Sequence, residues 1–202
     1  MKSAWAAFGG VAAMLALAPA QAQTFDACAD LARNSDRVAC FEALWGDEAS
    51  AEAGGKWLVR QEPSEFTDDT NVYLSLESHD ASVCGRNRDD KVVLWIRCRE
   101  NTTSLLFQTG CHMTSSSLHD YGDVAYSLDG GPERTVSMTK WRDNYSLGLW
   151  YGADAIPLIR ELLDVGTMRV RMKPFDEDIF TVAFDIAGLD EAIAPLREAC
   201  RW

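Results

Sequence analysis

Apolar and polar residues alternate with a period of two along much of this chain. In residues 71–78, Val72, Leu74 and Leu76 alternate with more polar neighbours, which indicates a β-strand with one buried and one solvated face. Eight such segments, separated by turn residues, are predicted as strands: KWLVRQE, NVYLSLES, KVVLWIRCRE, TSLLFQTGC, DVAYSLDG, RTVSMTKW, MRVRMKPF and FTVAFDIAG. The pattern therefore predicts a mainly β member of the α+β class over residues 56–202, built as an antiparallel, sandwich-like domain.

Two segments follow a helical period instead. DAIPLIRELLDVG carries four apolar residues on one face, with Asp154 as the candidate N-cap: Ile156, Ile159, Leu162 and Leu163. In GLDEAIAPLREAC, the apolar residues recur at intervals of four, three and four: Leu189, Ile193, Leu196 and Cys200. Pro195 is expected to divide this second helix into two short turns, because proline lacks the N–H of a helical hydrogen bond.

The N-terminal residues 1–22 have the pattern of a secretory signal peptide. Lys2 supplies the positive charge, residues 4–18 form a short apolar core, and Ala-Gln-Ala at 20–22 is a cleavage pattern. A membrane anchor is the alternative, but this core is shorter than the roughly 20 residues that a spanning helix needs. We therefore expect a mature chain that starts near Gln23 and resides in the periplasm or outside the cell.

Residues 23–46 are predicted to form a small helical segment held by a local disulfide bond. Cys28 and Cys40 are twelve residues apart, on either side of a turn. Residues 47–55 contain small and acidic residues and end in two glycines, which is typical of a linker. The predicted organisation is thus a signal peptide, a small helical segment, a linker and the β-rich domain.

Six cysteines lie after the predicted cleavage site: Cys28, Cys40, Cys84, Cys98, Cys111 and Cys200. An even number in an exported chain favours three disulfide bonds over a zinc site, which would need closely spaced cysteine pairs. Two schemes remain for the last four cysteines. One joins Cys98 to Cys200 and Cys84 to Cys111, because Cys98 ends an apolar strand and Cys200 lies on an apolar stripe. The other joins Cys84 to Cys98 across a hairpin and Cys111 to Cys200.

The formal charge of the chain is −12, and it becomes −13 when Lys2 is removed with the signal peptide. No run of basic residues offsets this charge locally. The acidity opposes binding to nucleic acid and to anionic membranes. It favours a soluble protein or a cationic partner, and no stable membrane insertion is expected.

The segment CHMTSSSLHDYGD concentrates residue types that occur in catalytic and metal sites. A serine hydrolase is one interpretation, but no G-x-S-x-G turn exposes a serine here. A metal site would use four side chains whose spacing fits no zinc motif: His112, His119, Asp120 and Asp123. A polar loop between two strands explains the same composition, so no catalytic, cofactor-binding or metal-binding residue is assigned.

Other acidic and aromatic residues also have simpler explanations. Adjacent Asp68 and Asp69 resemble a solvated loop more than the opposed carboxylates of a glycosidase. Acidic residues at 89–90 and 176–178 lack the alternating pattern of an EF-hand calcium loop. Four tryptophans could form an aromatic binding face, although burial in the core is the commoner case: Trp57, Trp95, Trp141 and Trp150.

Several segments of the chain, in order, resemble the type VI secretion-associated TagO (VasI) family, and most closely its prophage-borne relatives. They are RVACFEALW, KWLVRQEPSEFTDDTNVYLSLES, VVLWIRCRENTTSLLF, TGCHMTSSS, YSLDGGPERTVSMTKW, AIPLIRELL and FTVAFDIAGLDEAIAPLREACRW. The resemblance implies an exported, non-enzymatic accessory protein whose partner is an envelope or secretion-system protein. It carries no established catalytic residues, and it favours the pairing of Cys98 with Cys200.

Two alternatives to this function come from other classes. The acidity, the small size and the disulfide bonds would also suit an exported inhibitor of a cationic envelope hydrolase such as a lysozyme. A muralytic enzyme is the third possibility, although the chain offers it no plausible catalytic set. Assays of lysozyme inhibition and of peptidoglycan release would distinguish these two functions from that of a binding protein.

Overall fold

The computed structural model describes residues 51–52, 56–82, 84, 91–115 and 120–202. All of them belong to the second of two units into which the chain divides, Gly46–Trp202. The predicted signal peptide, the predicted helical segment at 23–46 and most of the predicted linker lie outside the described residues. Their boundaries therefore stay predictions.

The larger sheet consists of seven antiparallel strands in the described part of the chain. They are β1 (Ala51–Glu52), β2 (Leu58–Pro63), β3 (Thr70–Ala81), β4 (Lys91–Arg99), β5 (Thr102–Gln108), β8 (Thr139–Lys140) and β9 (Ser146–Leu149). Their order across the sheet is β1-β2-β3-β4-β5-β9-β8, with every pair antiparallel. Strands β3, β4 and β5 lie at its centre.

The smaller sheet has four antiparallel strands in the same part of the chain. They are β6 (Asp123–Leu128), β7 (Arg134–Ser137), β10 (Thr167–Met172) and β11 (Phe180–Asp185), in the order β11-β10-β6-β7. The segment RTVSMTKW, predicted as one strand, divides between the two sheets at Met138. This methionine is buried, and its N–H donates to the Gly122 carbonyl at 2.7 Å.

The helical regions follow the sequence in part: Ile159 and Leu162 of the predicted apolar face are buried, whereas Ile156 is half-buried and Leu163 lies after the end of the helix. Helix α1 spans Gly152–Leu162, and the predicted second helix divides into α2 (Leu189–Ala192) and α3 (Ala194–Ala199), with Pro195 in the first turn of α3. The predicted N-cap at Asp154 is wrong: α1 begins earlier, and its N-cap residue, Tyr151, makes no side-chain capping bond. The Asp154 N–H instead donates to the Tyr151 carbonyl at 3.0 Å.

The apolar core lies between the two sheets. Phe107 of β5 and Phe184 of β11 meet with ring centroids 5.9 Å apart. The Trp57 side chain is fully buried, and its indole N–H donates to the Ile186 carbonyl at 3.2 Å. Helix α1 packs against β5 and β9, while α3 packs against β3 and β4. The mainly β architecture with two antiparallel sheets, predicted from the period-two patterns, is confirmed.

Strand β9 was missed because its sequence, SLGL, does not alternate. All four of its residues are buried, so the strand has no solvated face from which a period of two could arise. A buried strand of four residues cannot be distinguished by pattern from an apolar turn.

Two disulfide bonds lie among the described residues. Cys98, at the end of β4, is joined to Cys200, which follows α3, with Cα atoms 5.7 Å apart and a sequence separation of 102. Cys84 is joined to Cys111, with Cα atoms 5.1 Å apart and a separation of 27. The structure therefore has the first of the two predicted schemes and not the alternative, in which Cys84 pairs with Cys98 and Cys111 with Cys200. The expected bond between Cys28 and Cys40 falls outside the described residues.

Polar contacts also tie strand β11 to the larger sheet. The Ala183 N–H of β11 donates to an Asp80 carboxylate oxygen at 3.2 Å. Nearby, the Lys56 ammonium lies 3.1 Å from the Asp185 carboxylate. The first contact joins strands of opposite sheets, and the second joins the turn before β2 to the end of β11, so both supplement the apolar packing of the core.

Candidate functional site

The outer face of the larger sheet carries the most distinctive group of side chains. Strand register places one outward row across five strands, from β2 to β9: Leu58, Ser75, Trp95, Leu106 and Gly148. The alternating residues of each strand point into the core, as Leu94 and Ile96 do on either side of Trp95. Trp95 therefore faces away from the core because of its position in β4.

This face bears a groove of about 630 Å³, which we call the outer groove. Its lining residues are Leu58, Arg60, Glu62, Tyr73, Ser75, Trp95, Arg97, Leu106, Gln108, Trp141, Asp143, Ser146 and Trp150. Its volume is in the range of pockets that hold small ligands. The lining combines three tryptophans with charged and amide side chains, a composition that suits an amphipathic ligand.

Trp141 and Trp150 form one wall of the outer groove. They lie at the ends of the β8–β9 hairpin, and their ring centroids are 4.6 Å apart with a tilt of 38°. The Trp150 indole N–H donates to the Thr139 carbonyl at 3.0 Å, which fixes its ring against the hairpin. Trp141 remains 40% exposed, so this wall offers an aromatic surface to solvent.

Gly148 permits the hairpin to lie close to β5. A Cβ atom at this position would lie 2.7 Å from the Leu106 Cβ and 2.8 Å from the Leu105 carbonyl oxygen. No side chain can occupy that space without displacing backbone atoms of β5. The glycine thus sets the distance between the sheet and the hairpin that carries both tryptophans.

Arg97 lines the groove beside the two tryptophans. Its Nε–H donates to the Ser104 hydroxyl at 2.9 Å. Its guanidinium carbon is 5.5 Å from the Trp150 ring centroid and 5.7 Å from that of Trp141, which is a cation–π arrangement. Burial lowers the pKa of Arg97, and the neighbouring Tyr73 opposes this effect. An arginine side chain nevertheless remains charged.

No carboxylate among the described residues forms an ion pair with Arg97. The two acidic side chains of the groove are engaged elsewhere. Glu62 lies 2.6 Å from Arg60 and accepts a hydrogen bond from the Tyr73 hydroxyl at 3.0 Å. Asp143 accepts the Tyr145 N–H at 2.9 Å. Burial, followed by the hydrogen bond to Glu62, raises the pKa of Tyr73, so this hydroxyl stays protonated at neutral pH.

Of the residues that sequence patterns suggested for chemistry, Asp120 and Asp123 line the same cavity, which has a volume of about 300 Å³. The His112 ring packs edge-on against Phe175, with centroids 5.5 Å apart, and Asp123 accepts a hydrogen bond from the Ser137 hydroxyl at 2.6 Å. Asp69 pairs with Arg201 at 3.3 Å. Residues 116–119, including His119, lie outside the described residues. The described ranges contain no cluster of three side chains suited to holding a metal ion.

The four tryptophans divide into two groups. Trp57 belongs to the core, as the commoner interpretation expected, whereas Trp95, Trp141 and Trp150 line the outer groove. Arg97 was not singled out from the sequence. Its signal was the alternation in KVVLWIRC, which places it on the same face of β4 as Trp95.

The fold and groove define a class of protein: a two-sheet, disulfide-bonded β domain with an aromatic groove on one sheet face. Within the described residues, no helix combines the length and apolarity that a membrane span requires. A family model matches residues 27–202 and is described as "Type VI secretion system VasI, EvfG, VC_A0118". The chain therefore belongs to the VasI family of type VI secretion.

Comparisons with individual proteins give less information about function than the family model does. No curated protein matches the sequence. Among solved structures, the chain is similar to invasion-associated protein B from Bartonella henselae, with 10% sequence identity and a TM-score of 0.49. That similarity covers 73% of this chain and 94% of the other.

Proposed function

We propose that this protein is an exported, non-enzymatic accessory protein of type VI secretion that acts by binding a component of the cell envelope. Membership of the VasI family over residues 27–202 carries this proposal. The outer groove supports a binding role, because it is a preformed concave surface with exposed aromatic and charged side chains. The binding partner is an envelope or secretion-system component.

Export is supported by two features of the chain. Residues 1–22 have the signal-peptide pattern described above, and two disulfide bonds join cysteines within the domain. Disulfide bonds persist in oxidising compartments such as the bacterial periplasm. The protein therefore acts in the periplasm or outside the cell, after cleavage near Gln23.

The absence of enzymatic activity is supported by how the candidate residues are used. His112 packs on an aromatic ring, and Asp123 and Asp69 are held by neighbouring side chains. A hydrolase requires a nucleophile, a base and an orienting group within hydrogen-bond reach. The candidates from the sequence that the structure describes do not form such a set.

A secretion assay combined with partner capture tests this function. The host gene is deleted, and type VI-dependent release of substrate is compared with that of a strain complemented by the wild-type chain. In parallel, mature protein is used to capture partners from envelope extracts, which are identified by mass spectrometry. Trp141→Ala should reduce capture, whereas Phe66→Ala, at a 79% exposed residue outside the outer groove, serves as the matched control. Unchanged secretion in the deletion strain would contradict the proposed function.

A further inference from the structure

The outer groove contains an arginine, Arg97, that is half-buried. A second cavity, of about 300 Å³, contains Glu133 and Arg171, but these two side chains are paired at 2.6 Å. In the outer groove, Arg97 has no carboxylate partner among the described residues. It is also the one arginine in those residues that is not exposed. A half-buried cation without a counter-ion is partly desolvated, so an anionic partner from outside the domain would stabilise it.

We propose that the outer groove binds an acidic saccharide, with a sugar ring against the exposed part of Trp141 and a sugar carboxylate on the Arg97 guanidinium. This inference rests on the proposed binding role and on export. It does not rest on the association with type VI secretion, so the two can fail separately.

The geometry of Arg97 favours a carboxylate. Its Nε–H is used by Ser104, and its remaining N–H donors have no hydrogen-bond partner among the described residues. The tryptophan faces stabilise the positive charge but accept none of these in-plane donors. A carboxylate can accept two parallel N–H bonds from a guanidinium fork. The stacking on Trp150 and Trp141 holds the fork in place, which lowers the entropic cost of forming such a pair.

The location of the groove favours a saccharide over an extended peptide. Peptides that add to a sheet pair with free backbone groups at its edge. The floor of the outer groove is the face of central strands, whose backbone groups are used in the sheet ladder. It therefore offers side chains alone. The C–H face of a pyranose ring packs well on an indole, since the aromatic face is electron-rich and apolar.

Polar side chains around the tryptophans can form hydrogen bonds with the sugar hydroxyls. Gln108 accepts the Trp95 indole N–H at 3.1 Å through its amide oxygen, which leaves the amide N–H₂ to donate elsewhere. Ser75 lies between Leu58 and Trp95 in the outward row. Together with the volume of about 630 Å³, this arrangement suits a ligand of two or three sugar rings.

Direct binding to chemically matched disaccharides tests the proposal. The full chain is expressed, and the processed protein is titrated by calorimetry with four probes. N-acetylglucosaminyl-N-acetylmuramic acid carries a lactyl carboxylate, and N,N′-diacetylchitobiose is its neutral analogue. Digalacturonic acid presents a carboxylate from a different source, and an acidic tripeptide, Gly-Glu-Gly, is the peptide comparison. An acidic disaccharide should bind at least about tenfold more tightly than chitobiose, the scale of hydrogen bonds to a charged group.

Variants assign the effect to the groove. Arg97→Met should abolish the preference for the acidic disaccharide. Trp141→Ala should lower the affinity for both the acidic and the neutral disaccharide by about tenfold. Phe66→Ala should change neither. Thermal unfolding of each variant checks that the domain remains folded. If Arg97→Met unfolds the domain, a salt titration of the wild type is used in its place. Raising the ionic strength should weaken the binding of the acidic disaccharide and leave the binding of chitobiose unaffected.

The possible outcomes decide whether the proposal holds and which class of saccharide the groove binds. Binding of the muramic acid disaccharide alone would assign the groove to glycan strands of the cell wall, and binding of digalacturonate alone would assign it to uronate polymers. Equal binding of chitobiose, binding of the acidic tripeptide alone, or no binding of any probe at millimolar concentration would overturn the proposal. Altered secretion without saccharide binding would leave the proposed function intact and reject this inference.

Discussion

The indole N–H of Trp202 donates to the Thr103 hydroxyl at 2.8 Å, and Thr103 is the cross-strand partner of Cys98. The indole is thus anchored beside the bond between Cys98 and Cys200. Its ring lies 5.5 Å from the Arg197 guanidinium and 5.7 Å from that of Arg160. Trp202 is partly buried against the core and so helps hold the last helix on the sheet.

Removing the Trp202–Thr103 hydrogen bond should destabilise the domain measurably. Trp202→Phe keeps an aromatic ring and deletes the donor, and Thr103→Val deletes the acceptor at similar volume. A double-mutant cycle by urea unfolding should give a coupling free energy of about 1 kcal/mol, the usual net value of a hydrogen bond. Strictly additive effects of the two substitutions would show that the contact contributes nothing.

Loss of the Cys98–Cys200 bond should lower the free energy of unfolding by about 2–5 kcal/mol. The comparison is between the wild type and the double variant Cys98→Ala/Cys200→Ala in urea denaturation. Removing Cys84–Cys111 provides the matched control. Because that loop is shorter, with a separation of 27 against 102, its entropic effect should be smaller by about 1 kcal/mol. Non-reducing peptide mapping that joined Cys84 to Cys98 would refute this pairing.

Stability should depend on pH through Asp129. Its carboxylate accepts backbone N–H bonds from Thr167 at 2.7 Å and from Gly166 at 3.1 Å, and these bonds lower its pKa below the ordinary value of 3.8. A lowered folded-state pKa contributes stability above the unfolded-state pKa, and this contribution is lost as the pH falls through the folded-state value. Acid should therefore weaken the domain through this residue.

Asp129→Asn isolates that effect, because asparagine tolerates the positive φ of 47° at this position. The variant should be less stable than the wild type at pH 7, and the difference should shrink as the pH falls below about 4. Thermal unfolding across pH 2–7 provides the measurement. A difference that stays constant over this whole range would exclude the carboxylate charge as its cause.

The segment 23–46 should be separable from the β domain. We predict that a chain carrying its own signal peptide but lacking residues 23–46 still folds, since the cysteines of that segment are expected to pair with each other. Calorimetry should show a cooperative thermal transition close to that of the full chain. A broad or absent transition would disprove the predicted two-part organisation.

No hydrolytic turnover is expected on peptidoglycan, ester or peptide substrates. The reason is that no nucleophile, base and metal set is formed by the candidates that the structure describes. Release of soluble fragments from purified peptidoglycan, with a known lysozyme as positive control, measures this directly. Turnover that disappears in His112→Ala or His119→Ala would reject the non-enzymatic assignment. Inhibition of that lysozyme by the protein would instead favour the alternative inhibitor function.

The sequence predicts most of the sheet framework because half-buried strands leave a period-two trace. The same trace locates Trp95 and Arg97 on the outward face of β4, since both alternate with buried neighbours. It cannot locate Trp141 and Trp150. Their meeting depends on the β8–β9 hairpin, and β9 is buried on both faces. The groove therefore depends on tertiary structure, and the sequence pattern does not predict the hairpin that completes it.

Local capping and sheet assignment were harder to predict. Asp154 has the residue type of an N-cap, yet α1 begins earlier because Gly152 and Ala153 join its first turn. The segment around Met138 reads as one strand because both halves are β-forming, but Met138 is buried where the chain passes from one sheet to the other. At Met138, tertiary packing overrides the local preference.

The contact between Asp80 and Ala183 closes an open sheet edge. Strand β11 is one of the two edge strands of the smaller sheet, and its outward N–H groups could otherwise pair with a strand of another chain. Asp80 occupies one of those donors, and Lys56 places a positive charge beside the end of the strand. These contacts make the edge less available for pairing with a strand of another chain.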